Sequence, residues 1–291
     1  MGALAYSAQR ILRGMRTDGS ERQTSRLLRI YLWSRVQQTR VIRLIQSVFT
    51  GFWLGILSQS DLDSVDDAYY VGGHGKRLGP IDYTRNEYNK RGLFEWEQRA
   101  IDTHFPAGGS LALIGAGGGR EVLALRRQAF DVDAWECQPE FVKKANDLLV
   151  AEGFEPSVAY APRNTVPAGT ETFDGLVIGW ATYTLVPGSA RRIDLLGELR
   201  TRVEAGSPIL LSFFPRRPGD AQFPIAAAVG NRARRILRRE RLEVGDSLDP
   251  NFVHHFTESE VESELAAGGF KLQLFAAEPY GHAVAVAVDP D

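Results

Sequence analysis

The run LALIGAGGGREVLAL, residues 111–125, packs Gly115, Gly117, Gly118 and Gly119 between an apolar stretch and a stretch of helical spacing. A buried strand that enters so glycine-dense a turn and leaves it as a helix restricts the fold strongly. The turn presents backbone N–H groups and a helix N-terminus to whatever lies beyond the carboxyl end of the strand. Glycine at several successive positions means that something must approach this backbone closely.

The rest of the chain repeats the strand and helix alternation from residue 93 on. LFEWEQRAIDTHF is helix-like, SLALIGA a buried strand, REVLALRRQ a helix and DVDAWE a strand. PEFVKKANDLLVAEG reads as a helix opened by Pro139 and stopped at Gly153, followed by strands at PSVAYA and FDGLVIGW. ARRIDLLGELRTRVEAG reads as a helix ending at Gly206, and PILLSFF as a strand apolar on both faces, as a central parallel strand is. After the helix ESEVESELAAGG, only PYG separates the strands FKLQLFAAE and HAVAVAVD. So short a link cannot make a parallel crossover, so the last two strands are expected to be antiparallel neighbours. The expected fold is α/β: a doubly wound, mostly parallel seven-stranded sheet with a C-terminal antiparallel hairpin over residues 93–291.

Residues 1–92 are expected to form an N-terminal helical extension and a Gly-rich connector, serving as a lid or a packing element. Val41, Leu44, Ile45, Val48, Phe49 and Phe52 fall at helical spacing with Arg40 and Arg43 beside them. Such an amphipathic helix is expected to pack its apolar face on the rest of the protein, with a lid or a surface anchor as the sharper alternative. Residues 58–92 turn acidic and Gly-rich, with Gly72, Gly73, Gly75, Gly79 and Pro80 close together, and read as a connector or mobile loop. The apolar run VFTGFWLGIL is shorter than the roughly 18 to 20 residues a membrane-spanning helix needs. The first 45 residues hold only Asp18 and Glu21 as acids, a transit-peptide-like composition without a cleavage pattern.

A formal net charge of −2 gives no global attraction to nucleic acid or to an anionic membrane, leaving only local patches. One such patch, NRARRILRRERLEVGD at 231–246, reads as a solvated helix face or as a basic wall for an anionic acceptor. No aromatics interleave with its arginines, so no nucleic-acid partner is expected. The single cysteine, Cys137, excludes an intramolecular disulfide and a cysteine-rich zinc cluster and fits a reducing, cytoplasmic setting.

The glycine loop narrows the ligand. A dinucleotide fingerprint G-x-G-x-x-G counted from Gly115 requires a third glycine where this chain has Arg120. What stands instead is G-x-G-x-G at 115, 117 and 119, with Glu136 ending the second strand. A carboxylate there can accept hydrogen bonds from both ribose hydroxyls of an adenosine. Loop and carboxylate together point to an adenosine compound, and the missing glycine leans away from a pyrophosphate; an NAD(P)-dependent oxidoreductase is the alternative.

The run LALIGAGGGRE, then DAWE, FDGLVIGWATYTLV, SPILLSFF and HHFTESEVESELAAGGFKLQLF, resembles the class I S-adenosylmethionine-dependent methyltransferases over about residues 93–291. The resemblance implies S-adenosylmethionine as cofactor, with Gly115, Ala116, Gly117 and Gly119 around its methionine part and Glu136 on its ribose. It further implies Cys137 and Gln138 at the adenine, Arg163 or Asn164 where many relatives carry an acid after the third strand, and Gly179 and Trp180 near the sulfonium. Upstream, Tyr88, Arg91 and Glu97 would reach the amino-acid end, or else serve as a helix cap and ion pair.

A sulfonium methyl is already activated, so such a protein mainly positions the acceptor and excludes water. Candidate general bases are His254 and His255, ahead of a capping box at Thr257 and Glu260, with His74 more remote. Tyr183 and Trp180 would line the acceptor pocket or else belong to the core. No cluster of carboxylate and amide ligands follows Asp174, and the NPPY-like signature of nucleobase amino methylation is absent, so metal-independent transfer to a small molecule is expected. Two further options are a catalytically inactive S-adenosylmethionine-binding assembly partner and a weak membrane-surface contact through the Arg-rich helix.

Overall fold

The computed structural model describes residues 26–70, 83–217 and 219–289. The chain divides into two compact units, Met1–Ile45 and Gln46–Asp291. The described part of the first is helical, the beginning of α1 (Arg26–Ile56). The second contains the sheet together with residues 46–92, so α2 (Gln59–Tyr70) and the short α3 (Asn86–Asn89) belong to the same unit as the glycine loop.

Five strands run parallel in the order β3 (Val158–Tyr160), β2 (Asp131–Glu136), β1 (Ser110–Ile114), β4 (Gly175–Ile178) and β5 (Pro208–Pro215). Beyond β5 the antiparallel pair expected from the PYG link is present, β9 (Gly281–Ala287) on β5 and β8 (Phe270–Ala276) on β9. Among the described residues the sheet has nine strands rather than seven. β9 pairs with Pro208–Phe213, and the last two residues of β5, Phe214 and Pro215, pair instead with β7 (Phe252–Phe256), which is joined to β6 (Asp246–Leu248). This extra hairpin stands at the carboxyl end of β5.

Helices cover both faces. α4 (Glu95–His104), α5 (Arg120–Arg127) and α6 (Pro139–Ala151) bury Trp96, Ile101, Leu123 and Leu149 with Leu111 and Leu113 of β1. α7 (Ser189–Arg200) and α9 (Glu258–Ala267) bury Leu196, Leu199, Val261 and Leu265 with Ala112 of β1. The alternation of β1 between the two cores is the pleat at work, and each fully buried leucine contributes about 1.5–3 kcal/mol. α7 ends at Arg200, short of the expected Gly206, because residues 201–207 turn back into β5.

Two expectations for the N-terminal part change. Residues 59–70, expected in a connector, are helical: Ser58 and Asp61 bond reciprocally, Ser58 N to Asp61 Oδ2 at 2.7 Å and Asp61 N to Ser58 Oγ at 3.2 Å, which caps the helix. The glycines and His74 that follow lie outside the described residues. The apolar face of α1 is the second. In residues 46–56 the buried positions are Ser47, Gly51, Leu54 and Gly55, so small residues with Leu54, not Val48, Phe49 and Phe52, make the packing face. A side chain at Gly51 would collide with the Ala226 backbone of α8 (Gln222–Ile236).

Candidate cofactor site

The loop after β1 is anchored by its own backbone. The N–H groups of Gly115 and Ala116 donate to the Trp135 carbonyl at 2.8 and 3.1 Å, extending the β1–β2 pairing into the turn. Gly117 N–H donates to Glu136 Oε2 at 2.7 Å, and Gln138 N–H to Glu136 Oε1 at 2.9 Å. Glu136 is buried, and burial pushes its pKa up while these backbone donors oppose the shift. Cys137, through its thiol and its backbone N–H, also holds this carboxylate.

The glycines differ in purpose. A side chain at Gly115 would strike Thr182, one at Gly118 would strike Asn89 and the Tyr83 carbonyl, and one at Gly179 would strike the Gly115 carbonyl. These three are required by the protein's own packing. Gly117 has φ +52°, yet a side chain there would meet none of the described residues within 4 Å. The open side of the loop is therefore at Gly117, beside Glu136.

Next to it lies a cavity of about 90 Å³ lined by Gly115, Glu136 and Cys137, by residues 161–165 after β3, by Thr182 and Leu185 after β4, and by Phe252 of β7. Helix α2 contributes Leu62, Asp63 and Asp66 to the lining. Asp66 is buried; its Oδ1 accepts from Asn251 Nδ2 at 2.7 Å, and Arg163 forks between Asp66 and Asp67. Gln138 Nε2 donates to Asp67 Oδ1 at 2.5 Å, so α2 is tied to the end of β2, the loop after β3 and the β6–β7 turn. Burial raises the pKa of Asp66 against the pull of Arg163. Burial also pushes the Cys137 thiol up to about 12, with Glu136 adding to it, so Cys137 is a neutral wall of the cavity.

Of the expected cofactor residues, the fold brings Gly115, Glu136, Cys137, Arg163 and Asn164 to this cavity. Ala116 and Gly119 shape the loop, Gly119 packing its α-carbon against Ala145 of α6. The Gln138 side chain is turned toward α2. Asp66 and Asp67 were not legible in the sequence: they sit in an acid-rich run, and their partner Arg163 is almost 100 positions away.

The segment 83–89 crosses the loop, Asn89 Nδ2 donating to the Tyr83 carbonyl at 2.9 Å. Two polar groups on it, Asn89 Oδ1 and the Tyr88 hydroxyl, are buried without a hydrogen-bond partner among the described residues. Burial pushes the Tyr88 hydroxyl up to about 12, so it is a neutral donor. Trp180, after β4, packs among Tyr83, Phe94 and Tyr280 with ring centroids 6.4, 5.8 and 5.9 Å away.

Glu97 is engaged elsewhere. It accepts the Phe94 N–H at 2.6 Å and a two-pronged ion pair from Arg120 at 2.6 and 2.7 Å, and Arg120 also holds Glu121 at 2.7 Å. Glu121 in turn accepts the Trp180 N–H at 3.0 Å. The cap and ion pair reading holds for Glu97, with the pair buried rather than at the surface. Arg91 stacks its guanidinium over the Phe94 ring, 4.9 Å from the centroid.

The candidate catalytic residues are corrected. Tyr183 is wholly buried in the second core, stacked on Phe256 and donating its hydroxyl to Glu264 at 2.6 Å, so it lines no acceptor pocket. His254 lies on β7; its Nδ1 is 2.7 Å from Asp246 Oδ1, and its Nε2 is buried where a side chain at Gly245 would meet it. His255 packs between Phe214 and Phe223, and burial pushes its pKa down to about 4. Neither imidazole borders the cavity. Glu243, Asp246 and His254 come close enough together to suggest a metal, but Glu243 is held by Arg192 at 2.8 Å and Asp246 by His254.

A parallel run β3-β2-β1-β4-β5 finished by the antiparallel pair β9-β8, with a glycine loop after β1 and a carboxylate closing β2, is the fold of the class I S-adenosylmethionine-dependent methyltransferases. No protein-family model matches the chain, and no curated protein does. Solved structures do. An S-adenosylmethionine-dependent methyltransferase from Methanosarcina mazei superposes with a TM-score of 0.54 at 18% identity, over 68% of this chain and 100% of that one. A 1,6-didemethyltoxoflavin-N1-methyltransferase from Burkholderia thailandensis, solved with S-adenosylhomocysteine, gives 0.52 at 15% identity over 80% and 92%. A sugar N-methyltransferase from Streptoalloteichus sp. gives 0.52 at 14% identity over 75% and 93%.

Proposed function

We propose that this chain is an S-adenosylmethionine-dependent methyltransferase acting on a small-molecule acceptor without a metal. The observation that carries the reading is the open side of Gly117 held by hydrogen bond beside the buried carboxylate of Glu136. When bound, S-adenosylmethionine supplies a methyl group activated by its sulfonium. Glu136 meets the ribose hydroxyls with its carboxylate. Cys137, Arg163 and Asn164 wall the adenine, and Asp66, from α2, accepts from its amino group in place of the acid absent after β3. Asn89 Oδ1 and the Tyr88 hydroxyl, both lacking a partner among the described residues, fit an ammonium and a carboxylate at the amino-acid end.

Tyr83, Phe94, Trp180 and Tyr280 exclude water on the β4 side and present ring faces to the acceptor. With His254 held by Asp246 and His255 packed between Phe214 and Phe223, catalysis rests on positioning. That favours an acceptor atom that is nucleophilic without a strong base, such as a neutral amine nitrogen. The solved neighbours that methylate nitrogen on a sugar and on toxoflavin support a small acceptor of this kind. Metal independence is supported by the engagement of Glu243 and Asp246 with Arg192 and His254. The test is transfer of labelled methyl from S-adenosylmethionine to a panel of small amines, phenols and thiols. Label in the amines only is expected, and turnover that requires a divalent cation would overturn the metal-independent reading.

A further inference from the structure

Residues 46–56 of α1 are amphipathic in the inverted sense. Their small face, Ser47, Gly51 and Gly55, lies against α8 of the same unit, where side chains at Gly51 and Gly55 would collide with Ala226, Gly230 and Ala233. Their large face is turned outward, with Phe49 61% and Phe52 49% exposed and Val48 beside them. A soluble surface rarely leaves aromatic side chains grouped like this without a partner.

The carboxyl end of α8 adjoins the carboxyl end of α1: Arg234 Nε donates to the Leu54 carbonyl at 2.9 Å and Arg239 Nη1 to the Ile56 carbonyl at 2.5 Å. Around these two anchors Arg232, Arg235 and Arg238 are exposed and make no ion pair with a described residue, and Ile236 is 81% exposed between them. The one acid in that turn, Glu240, is paired with Arg191. Helix Arg26–Ile56 itself contains no Asp or Glu.

We propose that this face, Val48, Phe49 and Phe52 with Ile236 and the arginines of the α8 terminus, docks on the surface of an anionic lipid bilayer. The chemistry is complementary on both counts. Rings and aliphatic tips enter the headgroup boundary, and arginines, with long apolar stems and charged ends, meet lipid phosphates at its edge. A second copy of the chain would instead bring a face of the same charge against this one.

The test is co-sedimentation of the full chain with phosphatidylcholine vesicles, with and without phosphatidylglycerol, compared with two variants. Phe49→Ser/Phe52→Ser removes the apolar part and Arg232→Glu/Arg235→Glu/Arg238→Glu the basic part; all five positions are exposed, and circular dichroism melts check that both variants fold. The wild type binds anionic vesicles about tenfold or more tightly than neutral ones, more weakly at high salt, and each variant loses about tenfold or more. Equal or absent binding to the two vesicle types, or variants that bind like the wild type, overturns the proposal. A wild-type dimer in sedimentation that Phe49→Ser/Phe52→Ser makes monomeric, with no vesicle binding, overturns it in favour of self-association.

Discussion

Gly117 donates its backbone N–H to Oε2 of Glu136 at 2.7 Å, so the turn after β1 and the end of β2 are one rigid piece. Gly117 needs glycine for its backbone, at φ +52°, but has no neighbour among the described residues to exclude a side chain. Gly117→Ala should therefore cost only about 1–2 kcal/mol of stability while placing a methyl where the cofactor lies. The expected result is a folded protein with about tenfold or more weaker binding of S-adenosylhomocysteine by calorimetry. Gly118→Ala, which collides with Asn89 and the Tyr83 carbonyl, should lose stability first. Unchanged binding in a folded Gly117→Ala protein would place the ligand elsewhere.

Asp66 separates direct recognition from mere support. If it accepts from the adenine amino group, the wild type prefers S-adenosylhomocysteine over the inosine analogue, whose ring carries an oxygen there. In Asp66→Asn the amide can donate to that oxygen, so the preference should shrink toward one or reverse. A variant that binds both more weakly in the same ratio would show that Asp66 only ties α2 to Arg163 and Asn251. Failure of the wild type to bind either would count against the cofactor instead.

Arg120 stands between Glu97 and Glu121, all three buried. Arg120→Met leaves two carboxylates buried without their cation, and urea unfolding should show a loss of about 3–5 kcal/mol. A loss below about 1 kcal/mol would mean that water reaches the pair and that this arginine does not organise the start of α5.

His255 titrates with a sign that can be checked. Burial, with His254 beside it, pushes its pKa down to about 4 in the folded protein, against about 6.5 for a free imidazole. The unfolded chain gains this proton first, so the stability is intact above pH 6.5 and is lost as the pH falls toward 4, by at most about 3 kcal/mol. His255→Gln should flatten urea-unfolding stability measured across that window. An identical slope in the variant would assign the acid sensitivity to other groups.

The central sheet was legible because its signals are local. β1, the glycine turn and α5 are contiguous, Pro139 and Gly153 bracket α6, and PYG is too short for anything but a hairpin. Glu136 was legible for the same reason, at a fixed distance from the loop. What was missed depends on distant partners. Asp66 and Asp67 acquire meaning only through Arg163, Gln138 and Asn251. The strands β6 and β7 lack the apolar run that marks β1 and β5, so His254 and His255 read only as residues ahead of the next helix when β7 fixes them in place. Tyr183 follows β4 closely enough to suggest a pocket, but Glu264 draws its hydroxyl into the core. The apolar spacing in α1 was genuine; only the packing partner, the small residues of α8, shows that it points outward.

The most direct test is calorimetric titration of the full chain with S-adenosylmethionine, S-adenosylhomocysteine and NADH, repeated with Glu136→Ala. Binding of the first two, weakened about tenfold or more by the substitution and absent for NADH, is the expected result. Binding of NADH alone, or binding of the adenosyl compounds that Glu136→Ala leaves untouched, would contradict the assignment of the loop and Glu136 as an S-adenosylmethionine site.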